Sequence, residues 1–219
     1  MDGLTRRDAV QRVMALMGGL ALTGGDRLEA MALDGFSFDA AAVDQAMAQG
    51  VGAFTAADVA LLDEIADTIL PTTATPGAKA AKTGAFMALM VTDVYVDANQ
   101  RVFTDGLKTL EAACRAATGG SFMQATPAQR VALLEALDRE QKTATEEQTT
   151  PLRTRFPATP RPEAPPLPHY FRMMKELALL GYFTSEIGYT KALRYLESPG
   201  RFEPDVPLAP GDRSWAPHS

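Results

Sequence analysis

Apolar residues recur at helical spacing along most of this chain, and no stretch alternates long enough to predict a strand. The clearest element is TAADVALLDEIADTILP, in which Val59, Leu62, Ile65, Ala66 and Ile69 share one face. Thr55 stands where an N-cap belongs, Asp58 three residues on gives the outline of a capping box, and Pro71 stops the helix. Asp63, Glu64 and Asp67 fall away from the apolar stripe and read as a solvated face. TTATPGAKAAKTG is a turn punctuated by Pro76-Gly77, and it leads into GAFMALMVTDVY, apolar on most sides and therefore a buried helix. Asp97-Ala98-Asn99-Gln100 reads as a break. A helix then runs from Val102 to Ala117, ended by Gly119-Gly120. Thr126-Pro127-Ala128-Gln129 supplies a second N-cap with proline at the first helical position, and its helix buries Val131, Leu134 and Leu137.

The pattern changes over residues 141–168. QKTATEEQTTPLRTRFPATPRPEAPPLP holds many prolines and few large apolar residues, so it reads as a long proline-rich loop rather than a helix. Helical spacing returns at His169 and is expected to run through FRMMKELALLGYFTSEIGYTKALRYLE until Ser198-Pro199-Gly200. Residues 199–219 form an extended, proline-containing tail. Residues 39–48 suggest a short helix ended by Gly50 and Gly52. The fold class is all-α: one irregular helical domain of about five to seven helices.

The first residues, MDGLTRRDAVQRVMALMGGLALTGG, follow a different logic. From Val13 to Leu22 there is no polar side chain, but this run of about ten residues falls short of the roughly 20 that cross a bilayer. Charge, a short apolar run and small residues at Ala30-Met31-Ala32 make the pattern of an export signal over residues 1–32, leaving residues 33–219 as the domain. Arg6 and Arg7 within Thr5-Arg6-Arg7 look like the core of a twin-arginine signal, which addresses folded cargo. The alternative is an amphipathic N-terminal helix with an incidental arginine pair.

Charge and composition narrow the chemistry. The net charge is −6, which repels phosphate backbones and argues against nucleic acid as a partner. Cys114 is the only cysteine, so this chain alone cannot form an internal disulfide, a Cys-x-x-Cys-His haem attachment or an iron–sulfur cluster. Leu107, Leu110 and Cys114 share a helical face, which makes the thiol an apolar filler. The chain has two histidines, His169 and His218, and no Glu-x-x-His pair for a di-iron site. It also lacks the glycine-rich loops that hold nucleotides or flavins. His169 has no nucleophile or carboxylate placed beside it by sequence, so a packed or capping ring is favoured over a catalytic base. No catalytic, cofactor-binding or metal-binding residue is assigned.

The densest aromatic stretch lies beyond His169. His169, Tyr170, Phe171, Met173, Tyr182, Phe183, Tyr189 and Tyr195, with Trp215 in the tail, form the candidate partner interface, because aromatic and methionine-rich surfaces are favoured there. Phe171, Met174, Leu177 and Ala178 also make a helical stripe, so part of this stretch belongs to the core.

Two blocks carry a resemblance. LLDEIADTILPTTATPGAKAAKTGAFMALMVTDVY, notably Ile65 to Pro71 and Thr75-Pro76-Gly77-Ala78, is similar to the first signature of the gluconate 2-dehydrogenase subunit 3 family. FRMMKELALLGYFTSEIGYTKALRYLESPGRFEPDVPL, notably Gly181-Tyr182-Phe183-Thr184-Ser185-Glu186 and Gly188, resembles its second signature. The resemblance implies a non-catalytic small (gamma) subunit of a dehydrogenase complex that oxidises sugars or sugar acids. FAD would sit on the large subunit, and a cytochrome c subunit carrying haem c often takes the electrons onward. It further implies an escort role: a chain bearing Arg6 and Arg7 takes the folded flavoprotein through the twin-arginine translocase to the periplasm, with membrane contact only through the complex. A transient export chaperone and an independent exported enzyme are the competing expectations.

Overall fold

A computed structural model describes residues 46–47, 49–154, 166–198, 200, 205, 207 and 209–216, with the backbone alone for 149–154. The expected export signal, most of the expected 39–48 helix and the proline-dense stretch 155–165 lie outside the described residues; Ala46 and Met47 are helical. Among the described residues, five α-helices and one π-helical turn carry the fold, in keeping with the all-α expectation. They are α1 (Ala56–Ile69), α2 (Thr83–Asp93), α3 (Asp97–Thr118), α4 (Pro127–Thr154), α5 (Tyr170–Phe183) and the π-turn (Gly188–Ala192).

A two-residue hairpin precedes α1. Its strands β1 (Gly50–Val51) and β2 (Phe54–Thr55) pair antiparallel, Gly50 with Thr55 and Val51 with Phe54. The hairpin delivers Thr55 in an extended conformation, and the capping box closes: Thr55 N donates to Asp58 Oδ2 at 2.8 Å, and Asp58 N donates to Thr55 Oγ1 at 3.3 Å. Such a cap contributes about 1 kcal/mol. Val59, Leu61, Leu62, Ile65 and Ala66 then turn inward.

α2 has no cap of its own. Lys82 precedes it in a left-handed conformation (φ 54°) and offers no side-chain acceptor. Asp63 of α1 does that work from outside, accepting from Gly84 N at 2.6 Å. This satisfies an orphan amide and sets a carboxylate at the positive end of α2. The approach needs a glycine: a Cβ at Gly84 would lie 2.5 Å from the backbone of Asp63 and of Val59.

The expected break at residues 97–100 is instead the first turn of α3. Polar residues look like a loop in sequence, but here they start a helix. Asp97 suits its N-terminus, and Gln100 Nε2 donates to Thr92 O at 3.1 Å and Tyr95 O at 3.0 Å, tying down the end of α2. Gly119, at φ 80°, terminates α3 as expected. At α4 the second capping box forms, Thr126 N donating to Gln129 Oε1 at 2.9 Å and Gln129 N to Thr126 Oγ1 at 3.4 Å.

Two expectations fail on α4. Val131 is 43% exposed, whereas Leu134, Leu137 and Gln141 are buried at the spacing of the inward face. The helix also continues through Thr154, so the loop does not begin at residue 141. QKTATEEQTT contains no proline or glycine, and its Gln, Lys, Ala and Glu residues are good helix formers. Pro151 falls within the last turn of α4, and the other prolines of the stretch, from Pro157 onward, lie beyond Thr154 in the sequence. Gln148 Nε2 donates to Leu167 O at 3.2 Å, so the returning chain is bonded to α4.

α5 is the hub. It packs against α1, α2, α3 and α4, and it buries Phe171, Met173, Met174, Leu177, Ala178, Gly181 and Tyr182. The expected stripe of Phe171, Met174, Leu177 and Ala178 is therefore core, and so is the face of Leu107, Leu110 and Cys114. The helix ends at Phe183 rather than running to residue 197. Ser185 Oγ donates to Tyr182 O at 2.7 Å and accepts from Gly188 N at 3.0 Å. Side-chain bonds of this kind compete with the helical ladder, and the chain re-forms as the wider π-turn.

Candidate interaction site

The carboxylates of α1 are not a solvated face. Asp63, Glu64 and Asp67 are partly buried, and they bind the segment that follows, from Lys79 to the start of α2. Asp67 Oδ1 accepts from Lys79 N at 3.2 Å. Glu64 pairs with Lys79 Nζ at 2.7 Å and with Arg130 Nη1 of α4. Arg130 also donates to Phe122 O at 2.9 Å and Met123 O at 2.8 Å. The turn completes itself through Gly77 N to Thr72 Oγ1 at 3.0 Å, Ala78 N to Leu70 O at 2.9 Å and Thr83 Oγ1 to Ala78 O at 2.8 Å. Helical periodicity missed this because three carboxylates opposite an apolar stripe look alike whether water or a folded loop meets them.

Burial raises the Asp63 carboxyl above its ordinary value, against the lowering effect of the Gly84 amide. The Lys79 ammonium and then Arg130 hold Glu64 below its ordinary range. These acids have structural partners, and the seam they make holds a loop in place.

The two sequence signatures meet here. Tyr182 Oη donates to Pro76 O at 2.6 Å, and Gly181 lets α5 approach α2, since a Cβ there would lie 2.5 Å from Phe86 Cδ1. The residues that carry the resemblance thus share one structural task, joining the turn after α1 to the end of α5.

The candidate interface residues divide. His169 caps α5: its Nδ1 accepts from Phe171 N at 3.2 Å, so the ring proton sits on Nε2, which faces Glu140 Oε1 at 3.3 Å. The ring stacks on Tyr170 with centroids 4.6 Å apart. The Tyr170 phenol is pushed up to about 12 by burial and by the Glu140 carboxylate, which keeps it protonated at neutral pH. Phe171, Met173 and Tyr182 are core residues, each under 5% exposed, and are withdrawn from the candidate interface. Helical register carries them inward toward the other four helices.

Farther along, the picture reverses. Phe183 and Tyr189 are half-buried. Tyr195, Leu196 and Trp215 are each 46% exposed. Tyr189 and Tyr195 meet edge to face at 5.5 Å. The tail docks beside them through Arg194 N to Ser214 O at 2.9 Å and Ala216 N to Arg194 O at 2.8 Å. The Arg194 guanidinium lies 4.7 Å from the Trp215 ring centroid, so the indole is held and open at once. Leu196 and Arg194 escaped the sequence reading because they fall within the stretch expected to be regular helix. Arg6 and Arg7 lie outside the described residues.

Among the described residues, no group of three or more His, Cys, Asp or Glu side chains is placed to hold a metal ion, and no helix is long and apolar enough to cross a membrane. The family model for gluconate 2-dehydrogenase subunit 3 matches residues 56–200, from the first residue of α1 to just beyond the π-turn. No curated protein and no solved structure matches the chain. The match takes in all five helices and both halves of the Tyr182–Pro76 junction. The chain belongs to the gluconate 2-dehydrogenase subunit 3 family.

Proposed function

We propose that this chain is a non-catalytic small subunit of a dehydrogenase complex that oxidises a sugar or sugar acid with FAD held on its large subunit. It binds the folded flavoprotein and escorts it through the twin-arginine route, by way of Arg6 and Arg7, to the periplasm or the periplasmic face of the inner membrane. The family supports the complex. The observation that carries the binding role is the exposed trio of Tyr195, Leu196 and Trp215, fixed by the Arg194–Trp215 backbone bridge. Large apolar residues held open in one place are the usual marks of a contact surface. His169, the one sequence candidate for a base, is engaged as a helix cap.

The test is to co-express the chain with an FAD-containing dehydrogenase subunit and purify through a tag on this chain alone, from the periplasmic fraction. A yellow, roughly equimolar complex that oxidises sugars with a dye acceptor supports the reading. Sub-equimolar recovery would shift it to a transient export chaperone, and a colourless single chain would overturn it.

A further inference from the structure

We propose that the groove between α1, α4 and α5 is a docking seat for a segment of the partner protein that inserts one bulky apolar side chain beside Val131 and sets a carboxylate over Lys142 and Lys175. The proposal rests on the subunit reading above and names a second contact, separate from the Tyr195–Trp215 surface.

The groove has a volume of about 430 Å³. Its floor is apolar, made by Ile69, Leu134 and Phe171, and Val131 stands at its edge, 43% exposed. Val131 is the residue that departs from the inward face of α4, so the helix spends an apolar side chain on this opening. A side chain from outside that covered it would remove apolar surface from water.

The rim supplies the sign of the partner. Lys142 Nζ lies 2.8 Å from Asp138 Oδ2, and Lys175 Nζ lies 2.6 Å from Asp138 Oδ1. Gln141 Nε2 also donates to Asp138 Oδ1, at 3.1 Å. One carboxylate thus serves two ammonium groups, and both of its oxygens are engaged. With Arg139 and Glu135 the lining holds three cations and two anions, in a chain whose net charge is −6. A locally positive rim on an acidic protein selects an acidic contact.

The other sizeable groove, about 310 Å³ between the hairpin, α1 and α3, lacks both features. Its apolar residues Phe54, Leu61 and Leu107 are buried. Its lining is neutral, with Lys108 and Arg115 set against Asp58 and Glu111.

The experiment compares the wild-type chain with Val131→Glu and with Arg139→Ala/Lys142→Ala for binding to the FAD-containing dehydrogenase subunit at several salt concentrations. Hydrogen exchange is followed on the wild-type complex. All three side chains are exposed, and thermal melts by circular dichroism confirm that each variant is folded. The expected results are about tenfold or greater loss of affinity for Val131→Glu, a flatter salt dependence for the double variant, and slowed exchange over residues 131–142 in the complex. A wild-type complex with unchanged affinity in both variants and no protection of α4 would overturn the groove and leave the subunit reading standing. Absence of any wild-type complex would overturn both.

Discussion

Residues 170–182 and residues 189–215 look alike in sequence, each crowded with aromatic and large apolar side chains, yet they fold to opposite ends. In the first region Phe171, Met174 and Leu177 sit in the core at the centre of four other helices. In the second, Tyr195, Leu196 and Trp215 remain half open to water. Aromatic content does not separate the two. Continuity of helical register does, because an unbroken helix carries its stripe to one side, whereas the break after Phe183 releases the following residues from that side.

The largest effect should come from truncation on each side of this divide. Phe171→Ala is expected to cost about 3–5 kcal/mol in urea unfolding, while Trp215→Ala stays within roughly 1 kcal/mol. Equal losses would erase the distinction. In the complex the order should invert, with Trp215→Ala weakening partner binding more than any change it makes to stability.

Next in size are the close approaches that let α5 sit at the centre. Gly181→Ala forces a methyl group against Phe86, and Gly84→Ala forces one against the backbone of α1. Each should lower stability by about 1–3 kcal/mol, with the larger loss at Gly84, where backbone cannot yield as a ring can. Tyr182→Phe comes third. It leaves the Pro76 carbonyl without its phenol donor and should cost about 1–2 kcal/mol, with little change in α-helical content.

The smallest effect is in the pH dependence and belongs to the core side alone. Glu64 is held below its ordinary 4.5, so its contribution is present above that value and is lost as pH falls through the folded-state pKa. Asp63 has the opposite sign. It is raised above 3.8, so its contribution is present below that value and is lost as pH rises through the folded-state pKa. Glu64→Gln should therefore flatten the acid limb of a stability–pH curve. Asp63→Asn, which keeps an acceptor for Gly84 N, should remove a small loss above pH 3.8. Denaturant titrations from about pH 3 to 7 read both.

Much of the architecture was legible because caps and glycines act locally. Thr55, Thr126, Pro127 and Gly119 mark helix ends through bonds or conformations within a few residues of themselves. What sequence could not show is long-range. Asp63 caps a helix 21 residues away, Glu64 pairs with Arg130, and Val131 stays exposed while Leu134 and Leu137 on the same helix are buried. The candidate interface suffered from the same blindness: Phe171 and Trp215 differ in what packs on them, which neither residue encodes.

The position of α5 has a consequence for how the chain comes into being. The helix that touches all the others is the last α-helix described, and its Tyr182 bonds a carbonyl 106 residues earlier in the sequence. As the ribosome works from the N-terminus, α1 to α4 emerge with their apolar faces uncovered and without the element that joins them. A nascent chain stopped before residue 170 is thus an open, adhesive intermediate, and closure waits until α5 has emerged. Loop closure over such distances also slows folding relative to a bundle built from neighbouring helices. Emergence of α5 and closure of the helical core thus become nearly the same event.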